Sequence, residues 1–98
     1  MDFDEAIREL KGLEGKTVLL QLTPADPGGW RFEMLDGINE VWQSDDDAEV
    51  FYVNFVDAEA GLKLRRSKFA AAGWEESPTN DFDRRFRIRI GNLDARFT

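Results

Sequence analysis

Asp45, Asp46, Asp47 and Glu49 place four carboxylates within five consecutive positions. That density is suited either to a hard cation or to a cationic partner. A calcium loop of the EF-hand kind needs acids at alternate positions and a central glycine, and this run has neither. Consecutive side chains in a turn seldom converge on one ion, so no metal is expected. The run reads instead as a solvated turn that offers a docking surface to a basic protein. With Asp36 and Glu40 just upstream, the candidate partner-binding surface is Asp36, Glu40, Asp45, Asp46, Asp47 and Glu49.

A second candidate is the pair Glu33 and Glu40. Carboxylates held close together push one pKa upward, which is how acid/base pairs arise. Nothing nearby completes a catalytic set, and two surface glutamates relieved by an arginine is the weightier account. The third candidate is cationic. Arg85, Arg87 and Arg89 alternate with Phe86, Ile88 and Ile90, so a strand here presents three guanidiniums on one face as a possible anion-binding stripe. Against a nucleic-acid role, the chain is acidic overall, and an arginine ladder on a sheet is usually paired with acids on the next strand. Lys63, Arg65, Arg66 and Lys68 form a shorter basic stretch.

What is missing narrows the chemistry further. There is no cysteine and no histidine, which removes disulfides, thiol nucleophiles, thiolate zinc sites and the usual general base near neutral pH. The glycines match neither a P-loop nor a dinucleotide fingerprint. Ser44, Ser67 and Ser77 lie in no nucleophile elbow. No catalytic residue and no cofactor is expected, and the chain reads as a non-enzyme.

The elements that must position these groups follow from periodicity. Phe3, Ile7 and Leu10, with Ala6 and Leu13, recur at three and four and predict an amphipathic helix over 3–13, capped by Asp2 or Asp4 and closed by Gly12 and Gly15. Residues 16–22 alternate and read as a strand, and 23–29 is rich in turn formers. Residues 30–35 and 38–43 flank Asp36-Gly37, which predicts a two-residue hairpin turn. That register sets Glu33 opposite Glu40, an unfavourable pair, so either the turn is longer than two residues or a basic strand carrying Arg85, Arg87 or Arg89 lies alongside. Residues 49–56 are apolar on both faces and suggest a central strand. Leu62 and Leu64 mark a short strand antiparallel to it. Ser67 is read as the cap of a short helix through Phe69 to Ala72, ended by Gly73, and 75–83 as an exposed loop. Residues 85–90 and 93–97 are the last strands, joined at Gly91-Asn92.

The fold class is therefore α+β: an N-terminal helix on an antiparallel sheet of five to seven strands, with a short second helix near 67–73. Whether the sheet stays open or closes into a small barrel is left undecided by these patterns. The 98 residues suffice for one domain, and 42% hydrophobic content with three tryptophans and eight phenylalanines supplies a core. Trp30 and Trp74, at a loop edge and a helix end, are either interface anchors or caps on the core.

Charge is divided unevenly. Residues 1–61 carry 15 acids and 4 bases, and residues 62–98 carry 5 acids and 9 bases. Either the two halves pair within one sheet, or they present faces of opposite sign. The net charge of −7 repels nucleic acid and anionic membranes. An acidic start, the lack of a long apolar run and the lack of cysteine make the cytoplasm the expected compartment. The expected function is a small acidic protein-binding module that modulates a basic partner, as an inhibitor or immunity protein would. The alternatives are a structural homo-oligomer and a phosphate or nucleic-acid binder using the arginine strand.

Overall fold

Asp2 begins the helix by a capping box: its carboxylate accepts from the Glu5 amide at 2.8 Å, and the Glu5 carboxylate accepts from the Asp2 amide at 3.2 Å. The helix, α1 (Phe3–Lys11), buries Phe3, Ala6, Ile7 and Leu10 along one side. Each of the three large side chains contributes about 2 kcal/mol by leaving water. The computed structural model describes residues 1–26, 29–76 and 84–98. Of the loops expected over 23–29 and 75–83, residues 27–28 and 77–83 lie outside the described residues. Thr23 and Pro24 instead end the first strand, and Glu75 and Glu76 end the fifth, where pairing with neighbouring strands extends them.

Seven strands follow: β1 (Thr17–Pro24), β2 (Phe32–Gln43), β3 (Val50–Phe55), β4 (Gly61–Arg65), β5 (Phe69–Glu76), β6 (Arg84–Ile90) and β7 (Leu93–Phe97). All pairings are antiparallel, in the order β4-β3-β2-β1-β7-β6-β5, and the sheet is not closed into a barrel. The inner face carries Val18, Leu20, Ile38, Val53, Phe86, Ile88 and Phe97, all buried, and α1 lies across it. Phe3 meets Phe51 of β3 and Phe69 of β5 edge-on, each at 5.7 Å, so the start of the helix joins strands from opposite sides of the sheet. Asp4 adds an ion pair at 2.7 Å to Arg66, in the turn between the two edge strands β4 and β5.

The expected hairpin at Asp36-Gly37 does not form. β2 runs through both residues as one 12-residue strand, its first half pairing with β1 and its second half with β3. The dipeptide is a corner where one strand passes between two limbs of the sheet, with a register shift between Ile38 and Glu40. Gly37 lacks the positive φ that a type I′ turn requires; only Gly15 and Gly91 have it among the described residues. Gly37 is needed for another reason: a Cβ there would meet Cγ2 of Val56 at 2.9 Å. The carboxylate of Asp36, which would face solvent in a turn, accepts from the amides of Gly37, Asp57 and Ala58 and ties the β3–β4 loop to the corner. At the bulge, the Val41 amide donates to the Glu14 carboxylate at 2.7 Å. The predicted Glu33–Glu40 opposition therefore disappears, with Glu33 opposite Gln21 and Glu40 opposite Asn54.

The second helix expected near 67–73 is also absent. Only a three-residue 3₁₀ turn, Arg66–Lys68, precedes β5, and Ser67 caps nothing there. So short a run of alanines cannot nucleate a helix by itself, whereas pairing along β6 satisfies its backbone over most of its length. Gly73 lies inside that strand. β3, expected to be central, is next to the edge, and β1 is the middle strand.

Candidate functional site

Chemistry-bearing side chains gather in three places: the β2–β3 turn, the outer face of β5–β7, and an apolar groove at the end of the inner face.

In the turn, four of the six acids chosen from the sequence remain as exposed carboxylates. Glu40, Asp45, Asp46 and Glu49 are exposed, and no cation pairs with them among the described residues. Asp47 is a structural member of the turn, accepting from the Glu49 amide at 3.0 Å and pairing with Arg65 at 3.2 Å. Those contacts, the amide bond foremost, hold its carboxyl below the ordinary range. Asp36 is not on this surface at all, being 5% exposed. Burial works to raise its pKa, but the amides of Ala58, Asp57 and Gly37 outweigh that and keep it low. On the same outer side, Trp42 stacks on Tyr52 at 5.0 Å, and the Trp42 indole N–H is buried without an acceptor among the described residues. Among the described residues, no group of three or more acids could hold a metal ion.

The arginine stripe exists as expected, since β6 buries Phe86, Ile88 and Ile90 and turns Arg85, Arg87 and Arg89 outward. Its partners are not Glu33 or Glu40. Glu75, opposite Arg85 on β5, accepts from Arg85 Nε at 2.6 Å and from Arg96 Nε at 3.2 Å. Asp94 on β7 receives Arg87 through two nitrogens, Nε at 2.9 Å and Nη2 at 2.7 Å. Arg96 and Arg89 approach the same carboxylate at 3.5 and 3.7 Å. Asp94 is nearly buried, which works to raise its pKa. The Arg87 bond and the charges of Arg96, Arg87 and Arg89 prevail and hold it low. Asp94 in turn raises Arg87. Beside this network lies a recess of about 270 Å³ lined by Ala71, Ala72, Gly73, Glu75, Arg87 and Arg89. Glu75, Asp94 and Arg96 were missed by sequence reasoning. The Gly91-Asn92 turn would have revealed one of them, because it sets Arg89 opposite Asp94.

The groove, about 210 Å³, is formed by Leu20, Leu22, Phe32, Met34, Phe55 and Leu62 with small residues of the β3–β4 loop. Phe32 at its rim is 47% exposed. Trp30 is 51% exposed in the loop before β2, whereas Trp74 packs on Phe86 at 5.2 Å with Arg84 over its ring. No helix among the described residues is long and apolar enough to cross a membrane. No protein-family model matches this chain, and neither a curated protein nor a solved structure does.

Proposed function

We propose that this chain is a small, non-enzymatic binding module of the inhibitor or immunity kind, acting in the cytoplasm by docking its acidic β2–β3 end on a basic partner protein. One observation carries this reading: charge is segregated. Among the described residues Glu40, Asp45, Asp46 and Glu49 stand exposed without an ion pair, because the nearby Arg65 and Arg66 are taken by Asp47 and Asp4, and Arg85, Arg87 and Arg96 are held on the other limb by Glu75 and Asp94. Unpaired exposed carboxylates at one end steer a cationic partner and orient its approach. Nucleic acid is disfavoured as a partner, since the arginines share their carboxylates instead of forming an open cationic track.

The test separates this surface from the fold. A triple variant, Asp45→Asn, Asp46→Asn and Glu49→Gln, leaves Asp47 and its bonds in place. A partner captured by the wild-type protein at low salt should bind this variant about tenfold more slowly, with a flatter salt dependence. An unchanged rate would refute the surface. A second reading, a homo-oligomer, is favoured by the edge position of β5, eight residues without proline or lysine that pair only with β6 among the described residues. Sedimentation at low salt distinguishes the two: a module that binds another protein is monomeric alone.

A further inference from the structure

Three features outside the acidic turn have chemistry to offer: the apolar groove, the buried indole N–H of Trp42, and the recess beside the arginines. Only the recess combines space, charge and an unfilled donor.

Along β6, three arginines face β5 in register. Opposite Arg85 stands Glu75, and the pair closes at 2.6 Å. Opposite Arg87 and Arg89 stand Gly73 and Ala71, which have no acceptor to give. Arg87 therefore leans the other way and takes both oxygens of Asp94. Arg89 is left over. Among the described residues its nearest carboxylate oxygen is 3.7 Å away, beyond a hydrogen bond, and its buried Nε has no acceptor, while the side chain as a whole is 42% exposed. Among the described residues, four guanidiniums, of Arg85, Arg87, Arg89 and Arg96, face two carboxylates, Glu75 and Asp94, a local balance of two positive charges. The excess charge borders the recess over Ala71 and Gly73, which Arg87 and Arg89 line.

We propose that this recess is a binding site for a small ligand bearing a phosphate monoester group, held by Arg89 with support from Arg87. A phosphate monoester carries close to two negative charges at neutral pH, which matches the local excess, and its oxygens accept from the edge of a guanidinium in pairs. The small side chains of Ala71 and Gly73 let the group lie against the strand, where a larger residue would fill the space. Asp94 is the positioning residue: it fixes Arg87 and, outnumbered by guanidiniums, does not repel the ligand. The site is on the opposite limb from the acidic turn, so it stands or falls independently of the docking reading.

Inorganic phosphate is the probe, titrated at constant ionic strength against chloride and, separately, against succinate as a dicarboxylate of equal charge. Phosphate should shift the Nε resonances of Arg89 and Arg87 saturably and raise the melting temperature, with chloride and succinate without saturable effect. Arg89→Gln should weaken phosphate binding at least tenfold. Gly73→Glu supplies the missing carboxylate from within, and a Cβ at this position meets nothing within 4 Å, so the variant should fold and lose the phosphate response. A phosphate response equal to that of chloride overturns the proposal. So does full binding in Arg89→Gln or in Gly73→Glu. Saturable binding of succinate as strong as that of phosphate would overturn the phosphate assignment.

Discussion

Asp94 shows how much one carboxylate can hold when three guanidiniums converge on it. It is 4% exposed, and its loss would leave Arg87 and Arg89 without a carboxylate partner among the described residues and Arg96 with Glu75 alone. Asp94→Ala should therefore cost about 2–3 kcal/mol, read from urea unfolding. Glu33 is the contrast. It pairs with Arg31 at a site where both side chains are about half exposed, and Glu33→Gln should change stability by less than about 0.5 kcal/mol. If the two substitutions cost the same, the network is not the structural centre of that limb. The alternation of Arg85, Arg87 and Arg89 with buried residues is plain from the sequence, because it depends only on the period of a strand. Which acids meet them is not, because that depends on which strands are neighbours. Asp94 and Glu75 lie within a hairpin's reach of the stripe in sequence; Glu33 and Glu40 bear the same charge but belong to other parts of the sheet.

The elements explain why two glycines should respond with opposite signs. At Gly37 the β2 corner passes so close to Val56 that a Cβ would sit 2.9 Å from Cγ2. Gly37→Ala should cost about 1–3 kcal/mol through overpacking. Val56→Ala in the same chain should restore most of it, since the nearest clashing atom is then gone. Gly73 lies inside β5 with open space around its Cα and an ordinary φ. Gly73→Ala should stabilise by about 0.5–1 kcal/mol, by reducing the freedom of the unfolded chain. A destabilising Gly73→Ala would contradict the strand and favour the helix end that local patterns suggest. Those patterns mislead at both glycines for one reason. Asp-Gly and Ala-Ala-Ala-Gly are strong local signals, but each is decided by distant partners: the β3–β4 loop that needs Asp36 as an acceptor, and the β6 backbone that needs a neighbour. Where local and distant demands agree, as in α1 and the strands 85–90 and 93–97, the elements are legible from sequence alone, although the choice of Asp2 over Asp4 as the cap is not.

At the scale of the whole molecule, four aspartates sit at four joints. Asp4 ties α1 to Arg66 beside the two sheet edges, Asp36 ties the β3–β4 loop to the corner, Asp47 closes the β2–β3 turn, and Asp94 gathers the arginines. All four titrate below the ordinary carboxylate range: Asp4 chiefly through its bond to Arg66, Asp47 through the Glu49 amide, and Asp36 and Asp94 because their donors overcome the cost of burial. The sign follows by linkage. A carboxyl with a depressed pKa in the folded state binds protons more readily when unfolded, so its stabilisation is complete above the unfolded value, about 3.9, and is lost as pH falls through the lower folded value. The charge asymmetry of the chain is thus partly internal, with cations from residues 62–98 pairing Asp4 and Asp47 of the acidic half. The rest of the acidic charge, at Glu40, Asp45, Asp46 and Glu49, takes no part in these joints. Thermal melts should accordingly be nearly level from about pH 8 to 5 and fall steeply below about pH 4. Asp36→Asn should lower the plateau and soften the acid limb by removing one of the titrating joints. The Asp45→Asn, Asp46→Asn, Glu49→Gln variant should leave both unchanged. A wild-type curve that already declines between pH 7 and 5, or an acid limb that the surface variant alters as much as Asp36→Asn does, would mean that stability rests on diffuse surface charge and not on the four joints.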